Sequence, residues 1–569
     1  MKLGVKAAVW IVFLFWCVRA LWPAGEESVV NSPHSLSVSG PGPVKSVHAE
    51  EVCSFCHVPH HATAVPLLNR PLSEAAYLTY KSATAKALPG QPTGASKLCL
   101  SCHDGTIALG RLTSQKELVM ISGGEHPRGR KNLGTDLSDD HPVSMAYNQA
   151  LAANPHRYRA LPMQSGRSLL DENNQVQCTS CHDPHNNQHG KFLVMENREG
   201  RLCMECHTIQ EWAYSSHNLS TARWKGAGRN PWPYTPYDDM HNNACANCHT
   251  MHDAGGKEHL LYYELEADNC YSCHNGSVAA HDIRGDFEKP FRHRVEAAKG
   301  GRARPLGRDF DVSHVGCADC HNAHAANDAQ SVKPRISGAL MDVSGVSASG
   351  GIVQRAEFEY EVCFKCHSGL SDRSITRPIR RLATLSSLRE KFGPSAVSFH
   401  PVEVVGRNPD VPSLLAPLNE TSLVSCMDCH GNDSDVRTDP ARIHVPHGSK
   451  YRYLLVRRYE TGDLISESEQ VYALCYKCHD RLNLLSDQTF TLHNKHIVVQ
   501  RTPCSVCHDS HGVSRSEGTP LHNAHLINFD VTVVRPDPVS GRQEYVSEGY
   551  RKGTCFLSCH GQAHSPRSY

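Results

Sequence analysis

Residues 178–189 of the chain read CTSCHDPHNNQH. Two cysteines stand three positions apart, a histidine follows the second one directly, and another histidine comes three residues later. Thiolate and imidazole are side chains that bind soft and borderline metals strongly. The same arrangement recurs along the whole chain. Whatever it binds is therefore bound many times, and it decides how the chain folds.

The cysteines form a regular series. The chain has 569 residues and 25 cysteines. Setting Cys17 aside, all the others form pairs, and a histidine follows each pair directly. The paired cysteines are Cys53 and Cys56, Cys99 and Cys102, Cys178 and Cys181, Cys203 and Cys206, Cys245 and Cys248, Cys270 and Cys273, Cys317 and Cys320, Cys363 and Cys366, Cys426 and Cys429, Cys475 and Cys478, Cys504 and Cys507, and Cys555 and Cys559. The histidines that follow them are His57, His103, His182, His207, His249, His274, His321, His367, His430, His479, His508 and His560.

Three interpretations compete for these motifs. An even number of cysteines in an exported chain fits disulfides, and the spacing of the pairs at 178 and 203 fits a structural zinc site. Neither interpretation requires a histidine after every second cysteine. Attachment of c-type haem requires all three residues of C-x-x-C-H, because two thiols form thioethers and the histidine ligates the iron. The sequence therefore predicts twelve covalent c-type haems, the last at CFLSCH (555–560), which has one extra residue between its cysteines.

A second imidazole on each iron separates an electron carrier from a catalyst, because an iron with two protein ligands has no open position. The chain holds 38 histidines and ten methionines, so ligation by two histidines is the expected rule. A histidine three residues after the motif lies too near its own porphyrin, and we expect it to ligate a neighbouring haem. An ordinary surface histidine is the alternative at each position. The candidate second ligands are His34, His60, His141, His185, His217, His252, His293, His324, His400, His447, His496, His511 and His564.

The N-terminus predicts export. Lys2 and Lys6 flank the start of an apolar run at 7–18 that ends at Arg19. This run is shorter than the ~20 residues that span a bilayer and suits a signal peptide at 1–20. An uncleaved anchor is the alternative, and bulky Trp16 disfavours a lipoprotein site at Cys17. No later stretch is long and apolar enough to span a membrane, so we expect a chain in the periplasm, at the outer-membrane surface or outside the cell.

Composition and charge limit the fold and the partners. Hydrophobic residues make up 39% and aromatic residues 7%, which is a thin supply for large side-chain cores. We expect porphyrins to fill the interior of a mostly irregular fold with short α-helices and a few β-hairpins, one of them at 531–546. The formal net charge is zero, and haem propionates make the holoprotein acidic. No long run of basic residues is present, which argues against a nucleic-acid partner.

The motifs come in twos, which predicts an elongated array of six two-haem modules, with one compact globule as the alternative. Most pairs consist of a C-x-x-C-H-x-x-H motif followed by a plain C-x-x-C-H. The pair at 426 and 475 lacks the early extra histidine. After the signal peptide at 1–20, the predicted modules span 21–160, 161–235, 236–308, 309–412, 413–490 and 491–569.

The chain resembles the multihaem c-type cytochromes of the doubled-CxxCH class, many of which occur in dissimilatory metal-reducing bacteria. The resemblance covers nearly the whole chain after the signal peptide. The segments that carry it are NSPHSLSVSGPG (31–42), DLSDDHPVSM (136–145), EYEVCFKCH (359–367), FHPVEVVGRNP (399–409), YALCYKCHDR (472–481), NAHLINFD (523–530) and CHGQAHSP (559–566). It implies chains of haems with two histidine ligands that pass electrons across the cell envelope to extracellular acceptors. It also implies that His34, His141 and His400 are second ligands.

Three functions remain open from the sequence. The first is an electron-transfer protein in which electrons hop between closely spaced haems, and its partners are other redox proteins of the envelope. The second is a reductase of nitrogen or sulfur oxyanions with one open-coordinate haem, although no motif replaces its histidine. The third is a structural role, as a filament subunit or as the cytochrome inside a porin complex, and it is compatible with the first.

Overall fold

A computed structural model describes residues 28–58, 68–115, 117–160, 162–295, 315–368, 381–383, 387–433 and 445–569. The predicted signal peptide at 1–20 and the candidate ligand His60 lie outside these described residues. The chain divides into two compact units. Unit 1 is Met1–Gln210 with Trp232–Glu264, and unit 2 is Glu211–Pro231 with Leu265–Tyr569. Within the described ranges, no helix has the length and apolar character needed to cross a membrane. The finer division into six modules stays a prediction.

Regular secondary structure is short and scattered, as the composition predicts. The α-helices are α1 Gly94–His103, α2 Tyr147–Ala153, α3 Arg201–Met204, α4 Ser216–Leu219, α5 Met240–Asn243, α6 Glu266–Tyr271, α7 Ile283–Phe287, α8 Glu359–His367, α9 Leu388–Phe392, α10 Cys426–Cys429, α11 Arg481–Leu485 and α12 Cys504–Cys507. Single 3₁₀ turns form other motifs, at Cys53–Phe55, Cys178–Ser180, Cys317–Asp319 and Cys475–Lys477. The two longest helices, α1 and α8, both end at a motif histidine.

The strands are mostly two residues long and pair across distant parts of the sequence. Unit 1 contains β1 Lys45–Ser46, β2 Leu78–Thr79, β3 Ile121–Ser122, β4 Asp136–Leu137, β5 Met145–Ala146, β6 Met163–Gln164, β7 Arg167–Ser168 and β8 Gln175–Val176. Unit 2 contains β9 Phe291–Arg292, β10 Gly345–Val346, β11 Ile352–Val353, β12 Ser398–Phe399, β13 Gly448–Ser449, β14 Gly512–Val513, β15 Val534–Arg535, β16 Glu544–Ser547, β17 Gly553–Cys559 and β18 Gln562–Ser568.

The C-terminal sheet corrects one sequence expectation. The predicted β-hairpin at 531–546 does not form, because β15 and β16 pair with the two ends of β17 instead of with each other. The expected turn does exist, since the Gly541 amide donates to the Asp537 carbonyl. The hairpin of this region is β17 with β18, and it contains the last cysteine motif. The sequence analysis did not predict this hairpin, because its first strand, β17, coincides with the cysteine motif.

The buried apolar residues form many small clusters and no large core. The largest, in unit 2, is made by Val506, Ile527, Phe529, Val534, Tyr545 and Leu557, with Cys507, Cys555 and Cys559 packed against it. Another in unit 2 joins Tyr360, Phe364 and Phe392. Most of the clusters have a motif cysteine packed against them. Side chains alone therefore fill only the space around the motifs, which agrees with the low apolar fraction of the sequence.

Candidate cofactor sites

Each regular motif is a single turn of helix that presents its histidine in a fixed direction. The amide of His182 donates to the carbonyl of Cys178 at 2.9 Å, and the amide of His57 donates to that of Cys53 at 2.8 Å. The same bond closes the motifs at 203, 245, 270, 317, 426, 475 and 504. This turn brings both thiols and the imidazole of a motif to one place.

The structure brings most motif histidines opposite a candidate second ligand. In unit 1 the facing rings, with their centroid separations, are His34 and His103 at 6.1 Å, His57 and His185 at 6.1 Å, His141 and His207 at 6.3 Å, and His182 and His252 at 6.3 Å. In unit 2 they are His217 and His274 at 6.0 Å, His293 and His367 at 6.3 Å, His321 and His447 at 6.0 Å, His400 and His479 at 6.5 Å, and His430 and His511 at 6.1 Å.

These separations fit one metal ion between each pair of rings. A metal–imidazole bond is about 2.0–2.1 Å long. A five-membered ring with bonds of about 1.33 Å has a radius of about 1.1 Å. Two imidazoles on opposite sides of one iron therefore have centroids about 6.2–6.4 Å apart. Stacked rings in direct contact lie closer, as His34 and Phe192 do at 4.1 Å, whereas edge-on contacts such as His324 with Trp212 also reach 6.1 Å. The nine histidine pairs therefore have the spacing of two ligands on one iron.

Hydrogen bonds fix which ring nitrogen faces the gap. In unit 1 the Nδ1 atom of His182 donates to the carbonyl of Lys191 at 2.9 Å, and that of His252 to a carboxylate oxygen of Asp140 at 2.7 Å. In unit 2 the Nδ1 atoms of His217, His293, His321, His400 and His430 contact backbone carbonyls at 2.6–2.9 Å. A carbonyl accepts only from N–H, so Nε2 keeps its lone pair. This is the tautomer and orientation that metal-ligating histidines adopt.

Burial lowers the pKa of several histidines of the facing pairs. Burial, with a smaller contribution from His207, lowers the pKa of His141 to about 4. Burial and the facing His217 do the same for His274, whose pKa is also about 4. The pKa of His447 falls to about 3 through burial and the facing His321. A neutral imidazole is the form that ligates a metal, so His141, His274 and His447 are in the ligating form at neutral pH.

Four segments that sequence inspection did not identify hold the motif rings in place. We call 191–194, 259–262, 453–456 and 525–528 the return segments. The first residue of each supplies the carbonyl that accepts from Nδ1 of a motif histidine. The third residue forms a β-bridge with that histidine, and the fourth donates its amide to the second cysteine of the motif. Their sequences are KFLV, HLLY, YLLV and HLIN. Two adjacent large apolar residues were the signal, hidden by variable spacing from the motif.

The thiols form neither of the two alternative structures. All the described motif cysteines are free, with no disulfide between them. Among the residues that the structure describes, no group of three or more cysteine, histidine, aspartate or glutamate side chains comes together as a metal site. The four-cysteine zinc interpretation of the motifs at 178 and 203 therefore has no support. The pattern of paired thiols beside paired imidazoles fits haem.

Thiols of successive motifs are neighbours in unit 1. The Cys99 thiol donates a hydrogen bond to Cys178, and that of Cys203 donates to Cys245. The motifs at 178 and 203 meet as well, because burial and then the nearby Cys206 raise the pKa of Cys181 to about 12. The motifs at 53 and 99 are neighbours as well. Burial, and next the nearby thiol of Cys102, raise the pKa of Cys56 to about 11.

Unit 2 repeats this order. The Cys363 thiol donates a hydrogen bond to Cys426, and that of Cys475 donates to Cys504. Other pairs of successive motifs are electrostatic neighbours, namely Cys320 with Cys363, Cys429 with Cys478, and Cys507 with Cys555 and Cys559. Motifs that follow one another in sequence are therefore also adjacent in space, and the motifs at 270 and 317 meet through a shared apolar cluster that Tyr271 and Cys317 contact.

Some candidates take other positions. His324 packs edge-on against Trp212, with centroids 6.1 Å apart. His496 and His564 face each other at 6.5 Å although neither belongs to a motif. The motif histidine His560 instead places Nε2 2.8 Å from a carboxylate oxygen of Asp463.

One buried histidine outside the candidate set belongs with these sites. Nδ1 of His493 contacts Oγ1 of Thr489 at 2.9 Å. Burial, and next the neighbouring motif histidine His508, lower the pKa of His493 to about 3. In the sequence HNKH (493–496), His493 stands only three residues before His496. The sequence analysis therefore selected His496 as the candidate ligand in this segment and not His493.

Comparison with known proteins gives two matches. A family profile described as "Doubled CXXCH motif" matches residues 172–211, which hold the motifs at 178 and 203. The "Multiheme cytochrome MtrA" of Shewanella baltica (strain OS185) is 23% identical over 205 residues, which is 34% of this chain. The match covers 42% of that relative, so it spans less than half of the relative's length. Together with the motifs, these matches indicate covalently bound c-type haem.

Proposed function

We propose that this multihaem c-type cytochrome is an electron carrier with twelve haems, not an enzyme. The observation that carries the proposal is the spatial order of the motifs. In unit 1 each motif has the thiols of the next motif as neighbours, and in unit 2 the same holds from the motif at 317 onward. A bound haem supplies a reversible one-electron change at its iron. Thiols that mark successive haem edges in this order support a path for electrons along these motifs.

The chain's own residues would hold each haem in three ways. The S–H of each motif cysteine adds across a vinyl double bond, which makes a C–S bond and moves the hydrogen to the other vinyl carbon. The motif histidine ligates one side of the iron and its facing histidine the other. The return segments and other carbonyls hold Nδ1 protons so that Nε2 points inward. We assign the facing pairs described above to nine of the irons, and His493 as the second ligand opposite His508.

Two histidine ligands suit transfer and not catalysis. An iron ligated on both sides has no position for a substrate, and rings held by hydrogen bonds change little between oxidation states. His141, His447 and His511 are neutral at physiological pH because burial lowers their pKa values to about 4 or below. Because these imidazoles stay neutral, the ligation of the irons would not change with pH in the physiological range. The residues around these gaps therefore favour fast electron transfer.

The setting follows from the N-terminal sequence and the matched relative. We propose export to the periplasm or the outer-membrane surface, with other redox proteins of the envelope as partners and extracellular acceptors as the destination of the electrons. Insertion into a porin or assembly into filaments is compatible with this role. The acidic holoprotein would select partners with basic docking surfaces.

The intact mass and the visible and electron paramagnetic resonance spectra of the purified protein test this proposal. We expect the polypeptide mass plus twelve haems and only low-spin, six-coordinate iron. A colourless protein with the mass of its amino acids alone would exclude the proposal. A stoichiometric high-spin haem that binds nitrite or hydroxylamine and turns it over would exclude a pure carrier.

A further inference from the structure

The last motif, CFLSCH, is built differently from every regular motif. The regular motifs are helical turns, but Cys555 and Cys559 lie on strand β17, Gly553–Cys559. His560 follows in the turn of the hairpin with a φ of +50°. The chain therefore turns away at the point where a regular motif would present its histidine to the iron.

His560 makes its hydrogen bond through Nε2, the nitrogen that would have to ligate an iron. Its Nε2 lies 2.8 Å from Oδ2 of Asp463 and donates to it. The facing pairs engage Nδ1 and leave Nε2 free. An Nε2–H bound to a carboxylate has no lone pair to give to a metal. The two side chains are 21% and 26% exposed, so the pair is partly shielded from solvent.

A different histidine lies on the face of the hairpin that carries the thiols. Cys555, Leu557 and Cys559 of β17 all pack into one apolar cluster and so share a face, although the register with β18 shifts between Cys555 and Leu557. The register places Leu557 opposite His564 and Cys559 opposite Gln562. Directly opposed residues point to the same face of a sheet, so His564 shares the face of the two cysteines. This face packs against the cluster that contains Cys507 of the preceding motif.

His564 also has a partner with the geometry of the other sites. The His496 ring faces it at 6.5 Å with planes 29° apart. Nδ1 of His496 donates to the carbonyl of Leu492 at 2.8 Å, and Nδ1 of His564 contacts the hydroxyl of Tyr569. Phe490 and Tyr569 lie against these rings and close the site. Both Nε2 atoms are left for the gap, as in the regular pairs.

We propose that the haem attached to Cys555 and Cys559 is ligated by His496 and His564, and that the motif histidine His560 stays off the iron, paired with Asp463. This inference rests on the proposed haem content. It separates attachment from ligation at one site, because the residue next to the second thiol does not supply the ligand. The additional residue in CFLSCH is the reason, since it allows the motif to extend as a strand.

Single alanine variants of the holoprotein test the assignment. We expect H564A and H496A each to retain twelve haems by intact mass and to show one high-spin haem per molecule, which added imidazole returns to low spin. H560A is expected to contain only low-spin iron. The matched control is H522A, because His522 pairs with Glu544 at 2.8 Å in the same unit and faces no imidazole within the described part of the chain.

The outcomes separate the two proposals. H564A with only low-spin iron, or H560A with a high-spin haem that imidazole rescues, would overturn the ligand assignment. If H560A instead fails to attach the last haem, H564A alone decides the assignment, by the same spin-state criterion. A wild-type mass without haem would overturn the proposed function itself, whatever the variants show.

Discussion

The rings of His57 and His185 lie 6.1 Å apart with planes only 19° from parallel, although two complete motifs separate them in the sequence. His182 faces His252 in the same way, and His430 faces His511. His185, His252 and His511 each follow a later motif by three residues. Under the proposed ligation, a C-x-x-C-H-x-x-H motif would serve two sites, its own and one that occurs earlier in the chain. Such crossed ligation would tie neighbouring sites together without a side-chain core.

The substitution H185A should leave one iron without its second histidine ligand. We expect all haems to remain attached, because both cysteines of each motif are intact, and one haem to become high-spin and to bind added imidazole. Electron paramagnetic resonance of the oxidised protein measures the change. The matched control is H189A, since His189 is exposed and lies four residues further on. Equal spectra for H185A and H189A would contradict the pairing of His185 with His57.

Gly200 should be intolerant of a side chain because of its closeness to a motif sulfur. Its φ is +72°, and an added Cβ would lie 2.8 Å from Sγ of Cys245. The left-handed conformation alone costs an alanine about 1–2 kcal/mol. We expect G200A to lose more stability than that and to lower haem occupancy at Cys203 and Cys245, measured by thermal unfolding and by peptide mass.

Gly190 provides the control for this substitution. It has a similar φ of +70°, and nothing lies within 4 Å of an added Cβ. G190A should therefore show the backbone cost without the clash, and haem occupancy should be unchanged. Equal losses in G190A and G200A would show that the sulfur contact is unimportant.

The motifs and the character of the fold could be predicted from the sequence because they depend on local spacing. The thiols, the imidazole and the closing turn all lie within five residues, and the thin apolar content predicted short elements. The choice of facing partner could not be predicted, since it joins residues as distant as His293 and His367 or His321 and His447. Those pairs depend on the path that the chain takes between the motifs. The sequence of these connecting segments has no periodicity from which that path could be predicted.

Errors arose where one local signal concealed another. The turn at 537–541 predicted a hairpin, but both of its strands pair with β17 instead of with each other. The prediction that His560 ligates an iron stays untested, and the strand conformation and Asp463 are what distinguish this residue from the other motif histidines. The return segments have variable distances from their motifs, so their shared role appears only in three dimensions.

Lys391 should be a strong determinant of the stability of unit 2. Its Nζ lies 2.6 Å from Oδ2 of Asp509 and 3.2 Å from Oε1 of Glu517, and all three side chains are at most 10% exposed. K391M leaves two buried carboxylates without a cation, and removing one partner of a buried ion pair costs about 3–5 kcal/mol. Denaturant unfolding of the holoprotein measures this loss of unfolding free energy.

An exposed ion pair supplies the comparison. Lys257 lies 3.1 Å from Asp136, and about half of each side chain is exposed. K257M should therefore change stability by about 0–1 kcal/mol, the usual range for surface pairs. A loss for K391M as small as that for K257M would mean that the buried cluster is not held by its lysine.

Glu403 should make stability depend on pH. Burial raises the pKa of its carboxyl to about 7, and Arg389 offsets this only in part. The unfolded chain releases this proton near its ordinary pKa of about 4.3. Between these values the folded state holds a proton that the unfolded state has lost, so this group lowers the unfolding free energy as pH rises. E403Q removes the penalty. We expect it to be more stable than the wild type at pH 8 and equal to it at pH 4, by denaturant unfolding. E390Q, at an exposed position on α9, should show no such difference, and a constant offset for E403Q at both pH values would contradict the raised pKa.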